Sequence, residues 1–309
     1  MRILYDPYYT TLSYCSRNLP LSKLQSGLNK LVLDTWDMML ALSGGTKVPV
    51  CIPEGMSEDV RCTDMGHSFL KSITTTPLNL ALLKEMLKLH TFTLFQLGEA
   101  RSDRNWEVDP ASAQEFFHTI KPLIESITFL VQVTGSGPLC MLEIVGDRYC
   151  NGSRKRNLYI SHGRVFLLRM DLKTSSACGI RSHVVHYPPP KVLELLVYYL
   201  SVVQPLETFL AGHLGWTNQH VAYSQFIYVV KGSVITPQAF SDIIATYTDR
   251  YFNCRISGLD LRHVLKNIQE TFLPPPSIPP SRSLETLRQV TALELQNRCM
   301  AKELTTFQV

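Results

Sequence analysis

The residues best equipped for chemistry in this sequence are cationic and gathered in one stretch. Between Arg148 and His186 stand eight basic residues (Arg148, Arg154, Lys155, Arg156, Arg164, Arg169, Lys173 and Arg181) against one acid, Asp171, in a chain whose formal net charge is only +4. The rest of the chain is therefore slightly acidic. An isolated charge run usually reads as a solvated surface, and a polyanion-facing one needs independent support, which the order of motifs supplies below. Arg154, Lys155, Arg156, Arg164 and Arg181 are the candidate phosphate contacts. Cys178, His183 and His186 form the best metal-like grouping, but side chains three apart on a strand point to opposite faces, so packed imidazoles are the better reading and no metal site is assigned.

Other chemistries lose their cheapest signals. There is no phosphate-binding glycine loop ending in Gly-Lys-Ser/Thr, no dinucleotide-binding glycine triplet after a strand, no Gly-x-Ser-x-Gly elbow and no His-Glu-x-x-His helix. No cofactor is implied. Cys140 and Cys299 have no activating base nearby in sequence and read as small buried apolar residues.

The elements that must position the basic stretch are mostly helical. Leu24, Leu28, Val32, Trp36, Met39 and Leu42 follow a helical period that Gly44-Gly45 stops. Helices are also predicted over Asp59 to Phe69, Leu78 to Phe95, Ala113 to Val133, a short piece from Leu139 to about Arg148, Val192 to Leu210, Asn218 to Lys231, Pro237 to Tyr251, Leu259 to Phe272 and Ser283 to Thr306. On this reading the first hundred residues are all helical. Pro122 and Pro205 are expected to kink or divide their helices. Strands fall only where the basic residues are: Asn157 to Ile160 and Arg164 to Leu168 make a hairpin about His162-Gly163, and Ser182 to Tyr187 adds a third strand. The fold class is mainly α with a small antiparallel β-sheet.

With 309 residues, 45% of them hydrophobic, the chain can bury a sizeable core, and two domains are the default expectation. The polar run Arg101 to Asn105 before Pro110 is the natural hinge, dividing the chain into 1–109 and 110–309. Eight scattered cysteines argue for reduced thiols, and the N-terminus shows no secretory pattern, so an intracellular setting is expected. The longest apolar stretch, Val192 to Gly212, carries Glu194, Gln204 and Glu207 and reads as a buried helix; no membrane span is proposed.

Order along the chain adds what composition lacks. From Thr134 the sequence runs through Gly135-Ser-Gly-Pro138, Leu139-Cys-Met-Leu-Glu143, the basic hairpin, Lys173-Thr174, a strand with Arg181, a long helix and Ser257-Gly-Leu-Asp-Leu-Arg-His263. That succession resembles the catalytic domain of tyrosine recombinases. Arg156-Asn-Leu-Tyr-Ile160, Tyr199-Leu-Ser-Val-Val-Gln-Pro205 and Gly66-His-Ser-Phe-Leu70 are similar to recombinase-like regions of fungal mobile elements and of telomere-linked RecQ-like helicase genes. The resemblance implies a helical core-binding-like lobe over 1–109 and a degenerate catalytic domain over 110–309. It also implies duplex DNA as partner, self-association on DNA and a nuclear location.

In that family a tyrosine attacks the DNA phosphorus, two arginines neutralise the nonbridging oxygens, and a lysine and a histidine manage protons. The resemblance carries the lysine onto Lys173, the second arginine onto Arg262, the following histidine onto His263 and the acid of the first motif onto Glu143. It also exposes losses. Cys140 stands where the first arginine belongs, Leu259 where the first motif histidine belongs, and Cys299 and Phe307 occupy the terminal positions of the histidine and the nucleophilic tyrosine. A benzyl side chain has no nucleophile. The implied protein is a DNA-binding recombinase relative without strand cleavage. The alternatives are an interaction remnant that binds no DNA, and an enzyme taking its tyrosine from a partner chain or using Tyr247 or Tyr251.

Overall fold

The computed structural model describes residues 3–14, 17–45, 52–74, 95–97, 106–135, 141–171 and 182–272. It is mainly helical with small antiparallel sheets, as the sequence predicts. The start differs: β1 (Ile3–Tyr5), β2 (Thr11–Tyr14) and β3 (Arg17–Pro20) form a three-stranded sheet where helix was expected. Asp6 makes the first reversal, its carboxylate accepting the N–H groups of Thr10 and Thr11 across the turn at 2.6 and 2.9 Å. Strands this short leave too little alternation to be read from sequence.

Helix α1 (Leu21–Leu42) matches its predicted period. It ends in a Schellman-type cap: Gly44, at φ +66°, donates to the Ala41 carbonyl, and Gly45 to the Leu40 carbonyl at 2.7 Å. The helix predicted over Asp59 to Phe69 is not formed. Residues 52–68 instead make an irregular strap, and α2 (Phe69–Thr74) begins only where that helix was to end. The strap bonds to what lies beneath it: Gly163 N–H to the Met56 carbonyl at 2.8 Å, Gly66 N–H to the Asn151 carbonyl at 2.8 Å, and Asn151 N–H to the His67 carbonyl at 3.0 Å. These long-range partners outcompete a local helical ladder. Strands β4 (Phe95–Leu97) and β5 (Trp106–Val108) pair around the expected hinge, whose residues 101–105 lie outside the described chain, as do most of the predicted Leu78 to Phe95 helix and all of Ser283 to Thr306.

Helix α3 (Pro110–Thr134) is capped by Asp109, which accepts the Ser112 N–H at 2.9 Å, and Pro110 opens its first turn. After the short α4 (Met141–Ile144), strands β6 (Leu158–Ser161), β7 (Arg164–Asp171) and β8 (Ser182–His186) form the predicted sheet in that order. The helix after Pro189 runs as α5 (Pro190–Tyr198), a π-helical turn (Tyr199–Val203) and α6 (Gln204–His213). Pro205 has no N–H to offer the preceding turn, and the wider π turn just before it absorbs that loss without ending the helix. By length and composition this helix could cross a membrane, and 78% of its apolar window is buried inside the protein.

Helix α7 (Thr217–Gln225) is shorter than predicted, because β9 (Val229–Val230), inside the expected helix, pairs with β10 (Ser233–Val234) beyond it as a hairpin. Helices α8 (Pro237–Phe252) and α9 (Gly258–Phe272) complete the described chain. Gly27 lets α1 approach α8, since an added Cβ would lie 2.4 Å from the Tyr251 carbonyl oxygen. One hydrophobic cluster takes Leu31, Met39 and Ile73 together with Phe116, Ile127, Leu195, Tyr228 and Phe252. The core therefore runs across the expected boundary at 109/110.

Candidate nucleic-acid interface

Of the basic stretch, Arg164 and Arg169 lie on β7 and Arg154, Lys155 and Arg156 in the loop before β6, and the structure sorts them by burial. Arg154 and Lys155 are exposed in the loop before β6, and Arg164 is exposed at the start of β7, beyond the tight turn in which His162 and Gly163 have φ +51° and +74°. The four-residue β6, rising ~3.3 Å per residue, spans about 13 Å between that loop and the turn. Arg148 is half-buried and tied down, donating to Gln225 Oε1 at 2.6 Å with its guanidinium 4.4 Å from the centre of the Phe226 ring.

Arg156 corrects the sequence reading. It is 2% exposed, bonds Glu58 Oε2 at 2.6 Å and Asn151 Oδ1 at 3.1 Å, and lies over the Tyr159 ring. A side chain enclosed by the strap cannot meet a phosphate, so Arg156 leaves the interface. Glu58 also accepts from the Ile160 N–H at 3.3 Å and lies 3.2 Å from His67 Nε2, which makes it the anchor between strap and sheet. The basic run gave no hint of this, because the partner lies far away in sequence.

Arg169 is buried as well, its Nε at 3.0 and 2.8 Å from the two oxygens of Asp147 and its Nη2 on the same carboxylate. Burial works against the charge, yet the Asp147 carboxylate holds the guanidinium protonated. His186, on the neighbouring strand, is pushed down to about 3 by burial and by Arg169, so at neutral pH it adds no charge. Its Nε2 has no hydrogen-bond partner among the described residues. Cys178 lies outside them, and no three His, Cys, Asp or Glu side chains gather as a metal site among them.

The residues singled out by the recombinase resemblance are partly brought together. Glu143 sits on α4 and Leu259, Arg262 and His263 on the first turns of α9, and the two helices meet where Met141 packs on Gly258; a Cβ there would be 2.6 Å from Met141 Sδ. Ser257 caps α9, its Oγ accepting the Asp260 N–H at 3.3 Å and donating to Asp260 Oδ2 at 2.7 Å, and the Tyr14 hydroxyl of β2 also bonds Asp260. Arg262 is half-buried, His263 is exposed, and neither has a partner among the described residues. Leu259 is 57% exposed. Cys140, Lys173, Arg181, Cys299 and Phe307 lie outside the described residues.

Tyr247 and Tyr251 are packed rather than presented. The Tyr247 hydroxyl donates to the Pro122 carbonyl at 3.1 Å and lies 3.0 Å from Ser126 Oγ; the Tyr251 hydroxyl donates to Asp34 Oδ2 at 2.8 Å. Burial and the bond to Asp34 push the Tyr251 phenol up to about 12, the opposite of what a nucleophile needs. Burial likewise raises the thiols of Cys150 and Cys254. Comparison of the chain with protein-family models, with curated proteins and with solved structures gives no match.

Proposed function

We propose that this protein binds duplex DNA along the exposed basic edge of the β6–β7–β8 sheet and neither cleaves nor joins strands. The supporting observation is that Arg154, Lys155 and Arg164 remain exposed while Arg156 and Arg169 are neutralised internally by Glu58 and Asp147. Exposed cations at both ends of one strand meet phosphates without reading bases, so binding is weakly sequence-dependent. The recombinase resemblance supplies the class of partner, and the approach of α4 to α9 is in keeping with it.

The inactive reading rests on Leu259 in place of an imidazole and on the enclosed hydroxyls of Tyr247 and Tyr251. A charged clamp and a nucleophile are needed together, and loss of one preorganised donor alone costs roughly 100-fold to 1,000-fold in rate. Incubation with nicked and supercoiled DNA, followed by denaturation, tests this: no covalent protein–DNA adduct is expected. A reproducible adduct mapping to any tyrosine of the chain overturns it.

A further inference from the structure

We propose that the cleft between the start of α3 and the Lys231–Gly232 turn is a binding site for a nucleoside monophosphate. The cleft has a volume of about 350 Å³, within the range of small-ligand sites, roughly 300 to 1,000 Å³. Its floor is aromatic: the Phe117 and Trp216 ring centres are 5.9 Å apart, and Tyr223 stacks on Phe117 at 5.5 Å. Phe117 is 5% exposed and Tyr223 fully buried, so half-buried Trp216 is the ring left to stack on a ligand, and a nucleobase is a planar ring that an indole face binds.

The rim supplies the polar half. Gln114 and His118, one helical turn apart on α3, face Gln219 of α7 and Lys231 across the cleft, and no carboxylate lines it. None of these four side chains, nor the indole N–H of Trp216, has a hydrogen-bond partner among the described residues. Two amides match the donor and acceptor edge of a base, and an ammonium without a counter-charge matches a phosphate.

The turn that carries the cation is held in place. Lys231 has φ +51°, a left-handed conformation that two-residue hairpin turns ordinarily give to Asn, Asp or Gly. Gly232 beneath it leaves no room for a side chain, since a Cβ would lie 2.1 Å from Gln219 Cγ, and its N–H donates to the Tyr223 hydroxyl at 2.8 Å. The ring that underlies the cleft floor thus also fixes the turn carrying the ammonium.

Calorimetric titration of the full chain with adenosine monophosphate tests the site, with adenosine and inorganic phosphate as controls. Saturable binding of the nucleotide is expected, at least about tenfold tighter than either control, because one lacks the anion and the other the ring. The diagnostic variant is Lys231→Gly, which removes the ammonium and relieves the left-handed strain, so the fold is kept. It should weaken the nucleotide by about tenfold or more while its thermal midpoint stays at or above that of the parent. Absent saturation, phosphate binding as tightly as the nucleotide, or a Lys231→Gly protein that binds like the parent overturns the proposal.

Discussion

Arg156 and Arg164 belong to the same basic run, yet one is enclosed by Glu58 and the other faces solvent, and only the folded chain tells them apart. Glu58→Ala leaves a guanidinium buried without its counter-charge, so urea unfolding should show a loss of about 3–5 kcal/mol, whereas Glu58→Leu with Arg156→Met should recover much of it. Neither protein should lose DNA affinity. Two other buried groups set the pH response. Glu207, beside the Tyr199 and Tyr223 hydroxyls, is raised by burial to about 8 from its ordinary 4.5, so its contribution to stability is present below 4.5 and lost as pH rises towards 8. His186 works the other way, depressed to about 3 from 6.5, so its contribution is present above 6.5 and lost as pH falls. Between 4.5 and 6.5 the two oppose each other. Unfolding free energies measured from pH 6.5 to 8 should therefore decline in the parent and flatten in Glu207→Gln; an unchanged slope contradicts the Glu207 assignment.

At the scale of elements, close approach carries the prediction. Gly27→Ala puts a Cβ against the Tyr251 carbonyl and the Phe252 ring, so α1 must move off α8, with an expected loss of about 1–3 kcal/mol. The same substitution at Gly55, which has positive φ but open space around it, should cost only the backbone strain. Elements whose burial repeats over several turns were legible: α1, α3, α8 and the hairpin of β6 and β7 stand where their apolar periods and Gly163 put them. The strap was misread as helix because its order comes from Asn151 and the sheet, partners invisible to a local window. The β9–β10 hairpin was overrun by a helix prediction although Lys231-Gly232 between valine-rich pairs was a turn signal. The candidate site was legible only in part: the basic run was plain, but which of its members face solvent depended on Glu58 and Asp147, and the aromatic cleft joins residues scattered from Gln114 to Gly232.

Across the whole molecule, one core binds α1 to α3 and α8 over the boundary at 109/110, so unfolding should be a single transition rather than two. Urea curves followed by tryptophan fluorescence and by far-ultraviolet circular dichroism should coincide; separated midpoints would favour two lobes that unfold independently. The same architecture leaves Arg154, Lys155 and Arg164 standing clear of the core, and the central claim is that these side chains meet DNA phosphates. The most direct measurement is the salt dependence of duplex binding by the parent and by the triple variant Arg154→Ala, Lys155→Ala, Arg164→Ala. Each lost phosphate contact should flatten the slope of log affinity against log salt by about 0.9, so the variant should bind more weakly with a slope shallower by about two to three. A parent that shows no steep salt dependence, or a variant with the parent's affinity and slope, would contradict the account.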